Sequence, residues 1–437
     1  MKHKSQDQNS SRRQFLKTSG SLAIGGVLAS TLSVPRGVFA AGTDTLKIGL
    51  IGCGGRGTGA ASEALTADKN AVLTAVADVF KERCEAATNS LKGNAALKDR
   101  VKVTQDTMFV GLDGYKRLID SGVDVVLLAA PPGFRPQHLR AAVLAGKHIF
   151  CEKPMATDAP GVRSVLESVE IARTKNISLV AGFCWRYEFG RREFFKRVHD
   201  GAIGEIRAVY ATYLTGPVKP MPPANQRPAG MSDVEWQLRN WYNFTWLSGD
   251  GLVEQACHSI DKIAWAMNGR LPLRAVANGG RQIPNNEGNI YDHIDVFYEY
   301  EDGVRAFMAQ RQIAGCYSDN SDYLLGSSGT GTIKGWNEPV IKGATTWRYS
   351  GQKNNMYQTE HDELFASIRS GKPINDGIWM AHSTLMAIMG RMAAYTGQEI
   401  TWDQAMNSQD KLVPDELTWD MKLPITPMAM PGRTKFV

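Results

Sequence analysis

A lysine at the end of a short apolar segment is the first residue that could do chemistry. Lys153 stands within residues 151–156, after the mostly apolar residues 146–150, and Pro154 follows it. Because proline donates no hydrogen bond to a strand ladder, the pattern predicts a strand that ends at this lysine. In an open parallel sheet, ligands bind at that edge. The lysine is either a ligand-binding ammonium group or an ordinary solvated side chain, and the motif alone leaves both open.

A second group of candidates lies within residues 249–265, which the pattern predicts to be one helix. Glu254, His258 and Asp261 are spaced i, i+4 and i+7, so they would share one face. A carboxylate one turn from an imidazole can fix its tautomer and raise its basicity, as a general base requires. The same face could instead bind a metal or form a salt-bridged surface. Because no second cluster of ligands accompanies it, we expect no metal site.

Glycines near the start of the chain match a dinucleotide-binding turn. Gly52, Gly54 and Gly57 follow a predicted strand at residues 46–51 and precede an alanine-rich segment. In this motif the glycines form the turn, admit the pyrophosphate and let helix and strand approach closely. The amino end of the helix then faces the phosphates.

The second predicted strand, residues 72–77, indicates which dinucleotide is bound. It ends in Asp78, which stands 21 residues after Gly57. A carboxylate at this place accepts the ribose hydroxyls and repels a 2′-phosphate. The sequence therefore favours NAD over NADP as cofactor. Arg83 nearby either approaches that position or is a solvated helix cation.

The first forty residues resemble a twin-arginine export signal. Arg12 and Arg13 are followed by Phe15 and Lys17 and by an apolar run over residues 21–34. Small residues then suit cleavage after Ala40. A basic amphipathic helix is the alternative. We expect the twin-arginine translocation machinery as a partner and a periplasmic or exported location.

Composition excludes several classes of protein. A chain of 437 residues, 43% hydrophobic and 22% charged, is typical of two soluble domains, and we expect no membrane-spanning helix after cleavage. Most of the net charge of +6 lies in residues 1–40, which removes the electrostatic argument for a nucleic-acid or membrane partner. The six cysteines are widely spaced and are predicted to be buried apolar residues.

Strand and helix patterns alternate in the first half and give way to strand pairs in the second. Further strands are predicted at residues 101–103, 123–130, 177–182, 206–214, 275–278, 294–300, 304–312 and 323–325, with helices at 160–174, 191–200, 360–370 and 379–395. A proline-rich stretch, residues 216–230, precedes a run of aromatic residues. Such a stretch suits a lid or binding loop, and the indoles suit either sugar faces or a subunit contact.

Three stretches of the chain resemble the Gfo/Idh/MocA oxidoreductase family: residues 52–57, 129–132 and 145–154. The resemblance covers essentially all of the mature chain. It implies an α/β protein, with an N-terminal Rossmann doubly wound parallel sheet followed by an α+β domain with an open, mostly antiparallel sheet for substrate and oligomer contacts. We set the boundaries at 1–40 for the signal, 41–170 for the NAD-binding domain and 171–437 for the second domain, and we expect a homo-oligomer.

The resemblance also implies roles for individual residues. His258 matches the catalytic histidine of the family and Lys153 the lysine of its E-K-P motif, while Glu254 stands where aspartate is usual. We extend the predicted cofactor site beyond the three glycines and Asp78 to Gly55, Arg56, Pro131, His138, Glu152 and Lys153. For His138, a packed helix residue is the alternative. We assign substrate contacts to Arg186, Trp246, Asp261 and His293.

The predicted function is an exported NAD(P)-dependent oxidoreductase that acts on a hydroxyl of a sugar or glycoside. Outside the cytoplasm no NAD pool is available, so we expect a tightly bound cofactor. One alternative is an NAD-dependent enzyme that cleaves glycosides through transient oxidation at C3 and elimination. A non-catalytic sugar-binding protein is the other.

Overall fold

The computed structural model describes residues 44–437. The predicted export signal, residues 1–40, lies outside this part of the chain. Within it, no helix combines the length and the apolar character that crossing a membrane requires.

The first half forms a six-stranded parallel sheet with strand order β3-β2-β1-β4-β5-β6. The order reverses between β1 and β4, which is where a doubly wound sheet binds its ligand. The elements in chain order are β1 (Leu46–Ile51), α1 (Gly55–Ala67), β2 (Ala71–Asp78), α2 (Lys81–Gly93), β3 (Met108–Val110), α3 (Gly114–Asp120), β4 (Val125–Leu128), α4 (Arg135–Leu144), β5 (His148–Cys151), α5 (Ala159–Thr174) and β6 (Leu179–Ala181).

Local chemistry explains where these elements begin and end. All four residues of β4 are buried and apolar, as expected for a central strand covered on both faces. Helix α5 begins after Asp158, whose side chain accepts a hydrogen bond from the backbone of Gly161 at 2.7 Å. The sheet continues to β6, which lies beyond the predicted domain boundary at residue 170.

One predicted strand of the first half is wrong. Residues 101–103 contribute only an isolated bridge between Val101 and Leu73, and β3 forms instead at Met108–Val110. Val101 and Val103 are buried in the core beside the sheet. Burial accounts for their apolar character without a strand.

The second half is built on a nine-stranded sheet with strand order β14-β13-β12-β11-β7-β10-β9-β8-β15. Only β7 and β10 pair in parallel. The elements are α6 (Phe189–His199), β7 (Ile206–Thr215), α7 (Asp233–Arg239), α8 (Thr245–Ser248), α9 (Gly251–Glu254), α10 (Cys257–Ala266), β8 (Arg274–Gly280), β9 (His293–Glu299), β10 (Arg305–Gln312), β11 (Ser321–Gly326), β12 (Thr330–Lys334), β13 (Val340–Lys342), β14 (Thr346–Arg348), α11 (Met356–Ser370), α12 (Gly377–Thr396), β15 (Ile400–Thr401) and α13 (Trp402–Asn407). The predicted fold class is confirmed.

The large sheet is covered on one face and open on the other. Helix α12 packs on the covered face, where Tyr298 of β9 donates a hydrogen bond to the carbonyl of Met386 at 2.8 Å. On the open face, residues of adjacent strands stand in register and form one apolar row: Val276, Phe297, Phe307, Tyr210 and Tyr323. We call this set the aromatic row.

Helix α11 returns from the second half to the first sheet. Its Leu364, Phe365 and Ile368 are buried in the same core as the residues of β1. The first sheet is therefore completed by a segment from near the end of the chain.

Residues 216–248, which we call the cap segment, pack against the end of the first sheet near β2. Trp236, Phe244 and Trp246 are buried in one cluster with Phe80, which precedes α2. The predicted alternatives for these indoles were sugar faces or a subunit contact. Most of them instead form the core that attaches the cap segment, and Trp241 lines the cavity described below.

Candidate active site

A cavity of about 650 Å³ lies where the carboxyl ends of the first sheet meet the second half of the chain. The glycine turn, Asp78 and Lys153 line it from the first half, and Glu254 and His258 line it from the second. The structure thus brings together the two groups of chemically active residues that the sequence singles out.

The glycine turn has the shape that a dinucleotide pyrophosphate requires. Gly54 and Gly55 have open space where a Cβ would project, at the amino end of α1. Gly57 packs so closely that a Cβ would lie 1.9 Å from the carbonyl oxygen of Gly52, which itself has φ +97°. The open side and the helix terminus fit a phosphate-bearing cofactor.

Asp78 lies at the end of β2 and faces the same cavity. Its carboxylate accepts hydrogen bonds from the backbone of Cys53 at 2.8 Å and of Phe80 at 3.0 Å. Burial raises the pKa of Asp78, although these two hydrogen bonds oppose the shift. Arg83 and Lys219, the latter from the cap segment, line the cavity beside it.

Arg56 and Glu152 line the cavity but are tied to each other. The guanidinium of Arg56 contacts Glu152 at 2.5 Å, Glu63 at 2.9 Å and Glu360 of α11 at 3.1 Å. These two predicted cofactor contacts therefore belong to a cluster of ion pairs at the lining of the cavity. No sequence signal pointed to Glu360, which lies far along the chain.

Lys153 follows β5 and is held by Glu254. Its Nζ donates to the backbone carbonyl of Glu254 at 2.5 Å and lies 3.2 Å from Oε1 of the same residue. Burial alone would lower the pKa of Lys153, but nearby groups that can carry negative charge, Glu254 foremost, more than compensate and the pKa is raised. The site therefore contains a buried lysine whose charged form is favoured.

His258 differs from the expectation drawn from its spacing. The predicted continuous helix is interrupted, because α9 ends at Glu254 and α10 begins at Cys257. The carboxylate of Glu254 contacts Lys153 and accepts from Gln255 at 2.6 Å, while Nδ1 of His258 is buried without a hydrogen-bond partner. Burial and the charges of Lys153 and Lys262 lower the pKa of His258. The expected rise in basicity is therefore not what the structure shows.

Pro131 and His138 share a side pocket, and only Pro131 also lines the main cavity. His138 is stacked on Tyr115, with ring centroids 4.2 Å apart, and the side pocket, of about 40 Å³, also contains Asp78 and Leu238. Burial and the charge of Arg135 lower the pKa of His138 to about 3, so this residue is neutral.

The four predicted substrate contacts lie outside the main cavity. Arg186 and Asp261 form a two-pronged ion pair, with the guanidinium of Arg186 above the ring of Trp379. Trp246 is buried and donates to Gln237 at 2.7 Å. His293 on β9 contacts Asp292 at 2.7 Å. Each of these residues instead contacts another part of the protein.

Other residues of the cavity were not singled out from the sequence. Tyr213 of β7 donates to Gln255 at 2.6 Å, and burial raises its pKa to about 12. Others include Trp185, Asn320, Trp336 and Tyr357. Alternation along β7 could have pointed to Tyr213, whereas Trp336 and Tyr357 belong to a turn and a helix start that no pattern connects with the site.

The described residues contain neither a cluster of metal ligands nor a disulfide. From Asp44 to Val437, no three His, Cys, Asp or Glu side chains converge as ligands for a metal ion. The cysteines are free thiols. Five are buried as expected, but Cys316 is exposed, which corrects the prediction for that residue.

Comparison with protein families gives two matches in succession. A sequence profile described as "Oxidoreductase family, NAD-binding Rossmann fold" of the GFO/IDH/MocA group matches residues 46–183. The GFO/IDH/MocA C-terminal domain profile matches residues 192–331. Together the two profiles match more than half of the chain.

Individual relatives agree with these profiles. Inositol 2-dehydrogenase of Rhizobium meliloti (strain 1021) is 24% identical over 353 residues, which cover 76% of this chain and 93% of that protein. A "Glycosyl hydrolase family 109 protein" of Streptomyces coelicolor is 31% identical over 184 residues, which are 41% of this chain and only 36% of that protein.

Among solved structures, levoglucosan dehydrogenase in complex with NADH and levoglucosan has the same fold. Its TM-score is 0.64 at 19% identity, over 82% of this chain and 99% of that chain.

Proposed function

The chain belongs to the GFO/IDH/MocA oxidoreductase family, and from this premise we propose that it oxidises a CH–OH group of a sugar or glycoside with a retained nicotinamide cofactor. Relatives named as inositol and levoglucosan dehydrogenases support a carbohydrate or polyol substrate. The observation that carries the proposal is one cavity containing the glycine turn, the buried Lys153 and His258.

Each residue of the cavity has a distinct role in the proposal. A bound nicotinamide would accept the hydride from the substrate carbon and would pass it to the carbonyl carbon of a second sugar, which returns the retained cofactor to its oxidised form. Lys153 holds the substrate oxygen and stabilises negative charge that develops on it. His258 is neutral and accepts the hydroxyl proton through Nε2, because Nδ1 is buried. Glu254 keeps Lys153 charged and oriented.

Replacing Lys153 tests this proposal directly. We expect Lys153→Met to lower kcat by about 100-fold or more while the cofactor still binds, since the glycine turn and Asp78 are unchanged. Turnover is measured by mass spectrometry of the keto-sugar formed from a panel of sugars and glycosides with a second sugar as hydride acceptor, and binding by cofactor fluorescence. The exposed Lys69 supplies the matched control, Lys69→Met. If Lys153→Met keeps more than about a tenth of kcat, the assignment is wrong.

The cap segment supports a retained cofactor. Leu238 of α7 lines the side pocket that also contains Asp78, where the adenosine half of the dinucleotide would bind. Arg239 lies above the ring of Phe80 at 4.0 Å and contacts Glu82 of α2 at 2.9 Å. A bound dinucleotide would leave only after these contacts open, so its release is expected to be slow.

NAD is the proposed form of the cofactor, because Asp78 would repel a 2′-phosphate. Arg83 and Lys219 are the residues through which NADP could bind if the carboxylate were removed.

Glycoside cleavage is the second candidate function. Tyr213 lines the cavity beside Lys153 and gives it a further proton-transfer group, as an elimination step would need. The relative named a glycosyl hydrolase family protein supports this candidate. The products distinguish the two: an oxidoreductase yields a keto-sugar, whereas cleavage releases the aglycone without net redox change.

Export through the twin-arginine pathway remains part of the proposal. It is supported by the residue pattern around Arg12 and Arg13. A cofactor held by the cap segment suits an enzyme that works where no NAD pool exists, in the periplasm or outside the cell.

We also propose a homo-oligomer that buries the aromatic row. Tyr210 and Phe297 are 42% and 39% exposed in the centre of a long sheet, which is unusual for side chains of this size. A second copy of the chain is the partner proposed for this face.

A further inference from the structure

A groove of about 180 Å³ adjoins the main cavity, and Trp185, Trp336 and Tyr357 line both. We propose that this groove binds a second sugar ring, joined by a glycosidic bond to the ring that is oxidised at Lys153. The inference rests on the proposed function and narrows its substrate class to disaccharides and longer glycosides.

An exposed tryptophan marks the junction of the two cavities. Trp336 lies in the turn between β12 and β13 and is 74% exposed. Its ring centroid lies 4.7 Å from that of Trp185, which is only 6% exposed. Indole faces pack well against the C–H faces of pyranose rings. Trp336, whose ring is tilted by 53° against that of Trp185, therefore offers an apolar platform between the proposed reacting site and the groove.

Arg191 holds the turn that carries Trp336 in place. Arg191 of α6 is buried, donates to the carbonyl of Gly335 at 2.6 Å and lies 3.9 Å from the centre of the Trp185 ring. A platform fixed in this way loses little conformational freedom when a ligand binds. The contacts of Arg191 therefore hold both indoles in place before a ligand binds.

The charges of the groove favour a neutral ligand. Glu188 pairs with Arg191 at 2.9 Å, and Glu338 pairs with Lys353 at the rim. Each cation thus has an anion, and no excess positive charge is left for a phosphate or a nucleotide. Paired carboxylate and ammonium groups beside aromatic rings suit the hydroxyls of a carbohydrate.

The position of the groove determines how a substrate would lie. Tyr357, at the start of α11, lines the groove, the main cavity and the approach to Arg56, whose guanidinium lies 5.0 Å from its ring. A sugar held at Lys153 would therefore direct one substituent past Trp336 into the groove. A free monosaccharide would leave the groove empty.

The test compares binding and turnover of matched sugars. Calorimetry on the cofactor-containing protein is carried out with cellobiose, maltose and chitobiose and with glucose and N-acetylglucosamine, for the wild type, Trp336→Ala and Trp336→Phe. We expect Trp336→Ala to weaken the best-bound disaccharide about tenfold and its monosaccharide less than about twofold, with Trp336→Phe intermediate. Tyr317→Ala is the control, because Tyr317 is 76% exposed and lines neither cavity.

The outcomes separate this inference from the proposed function. Equal affinity of the wild type for disaccharides and monosaccharides, or equal weakening of both by Trp336→Ala, would overturn the subsite. Disaccharide binding that depends on Trp336, without any hydride transfer, would support the subsite and contradict the proposed function. Hydride transfer from the disaccharide that Trp336→Ala leaves unchanged would contradict the subsite and support the proposed function.

Discussion

At the scale of residues, the ion pair between Glu254 and Lys153 determines the charges of the site. The carboxylate of Glu254 contacts the ammonium of Lys153 and leaves the imidazole of His258 without that support. A buried ion pair of this kind holds its cation charged, and the same cation lowers the pKa of a nearby imidazole. Lys153 is thus kept positive and His258 neutral. In the proposed mechanism, Lys153 stabilises negative charge and His258 accepts the proton.

The pH dependence of turnover follows from this division. Burial and the charges of Lys153 and Lys262 lower the pKa of His258, whose neutral imidazole is the proposed proton acceptor. Activity is therefore retained as the pH falls through 6.5, the ordinary value for histidine, and is lost only at lower pH. The measurement is the profile of kcat/KM against pH, with circular dichroism at each pH to verify folding. An acid limb centred at or above the ordinary value would contradict the assignment.

The sequence predicts much of the site where the motif is local. The glycine turn, Asp78 and Lys153 each stand at the end of a strand that the pattern identifies, and all line the cavity. Glu254 and His258 also line it, but their mutual geometry was not predictable, because a break near Gln255 interrupts the helix. The substrate contacts of Arg186 and Asp261 stay predictions, and spacing could not show that these two side chains form an ion pair with each other.

At the scale of elements, segments distant in sequence close the first sheet. Helix α11 buries Leu364 and Phe365 against it, and the cap segment packs its aromatic residues around Phe80. An amphipathic pattern shows that one face of a helix is buried, but not which surface covers it. Most strands and helices could be predicted from the sequence. The packing of the cap segment against Phe80 could not, because no pattern shows which surface a buried face contacts.

Cofactor retention is tested by loosening the cap segment. Leu238→Ala removes a fully buried side chain, which in general costs about 2 to 5 kcal/mol, and we expect the bound dinucleotide to dissociate at least about tenfold faster. The measurement is the dinucleotide left after gel filtration, identified by mass spectrometry of the denatured supernatant. Leu144→Ala changes a leucine that is 53% exposed and serves as the control.

The wild-type protein decides the same question independently. Purified protein that contains no dinucleotide, and binds NAD only at millimolar concentration, would contradict retention whatever the variant does. Release of NADP in place of NAD would contradict only the proposal that Asp78 makes the site specific for NAD.

At the scale of the whole molecule, two sheets of different kinds meet at one cavity. The parallel sheet supplies the cofactor side, and the antiparallel sheet contributes Tyr213 and leaves its far face open. Period-two patterns and turn residues made this architecture predictable. Which face of the large sheet is open could not be predicted, because apolar residues occur on both.

Charge placed in the aromatic row should dissociate the proposed oligomer. Phe297 pairs in register with Phe307 and Val276, so Phe297→Glu puts a carboxylate in the middle of the row. We expect light scattering to give a multiple of the monomer mass for the wild type and a monomer for the variant. Leu144→Glu, on the exposed end of α4, should leave the mass unchanged. A wild-type monomer would refute the proposed interface.

The return of α11 to the first sheet constrains when the protein can fold during synthesis. The core around β1 includes Leu364, Phe365 and Ile368, so the amino-terminal sheet stays incomplete until the ribosome has made nearly the entire chain. The usual order, in which an N-terminal domain folds while the rest is being translated, does not apply here. Chaperones would meet a long unfinished intermediate.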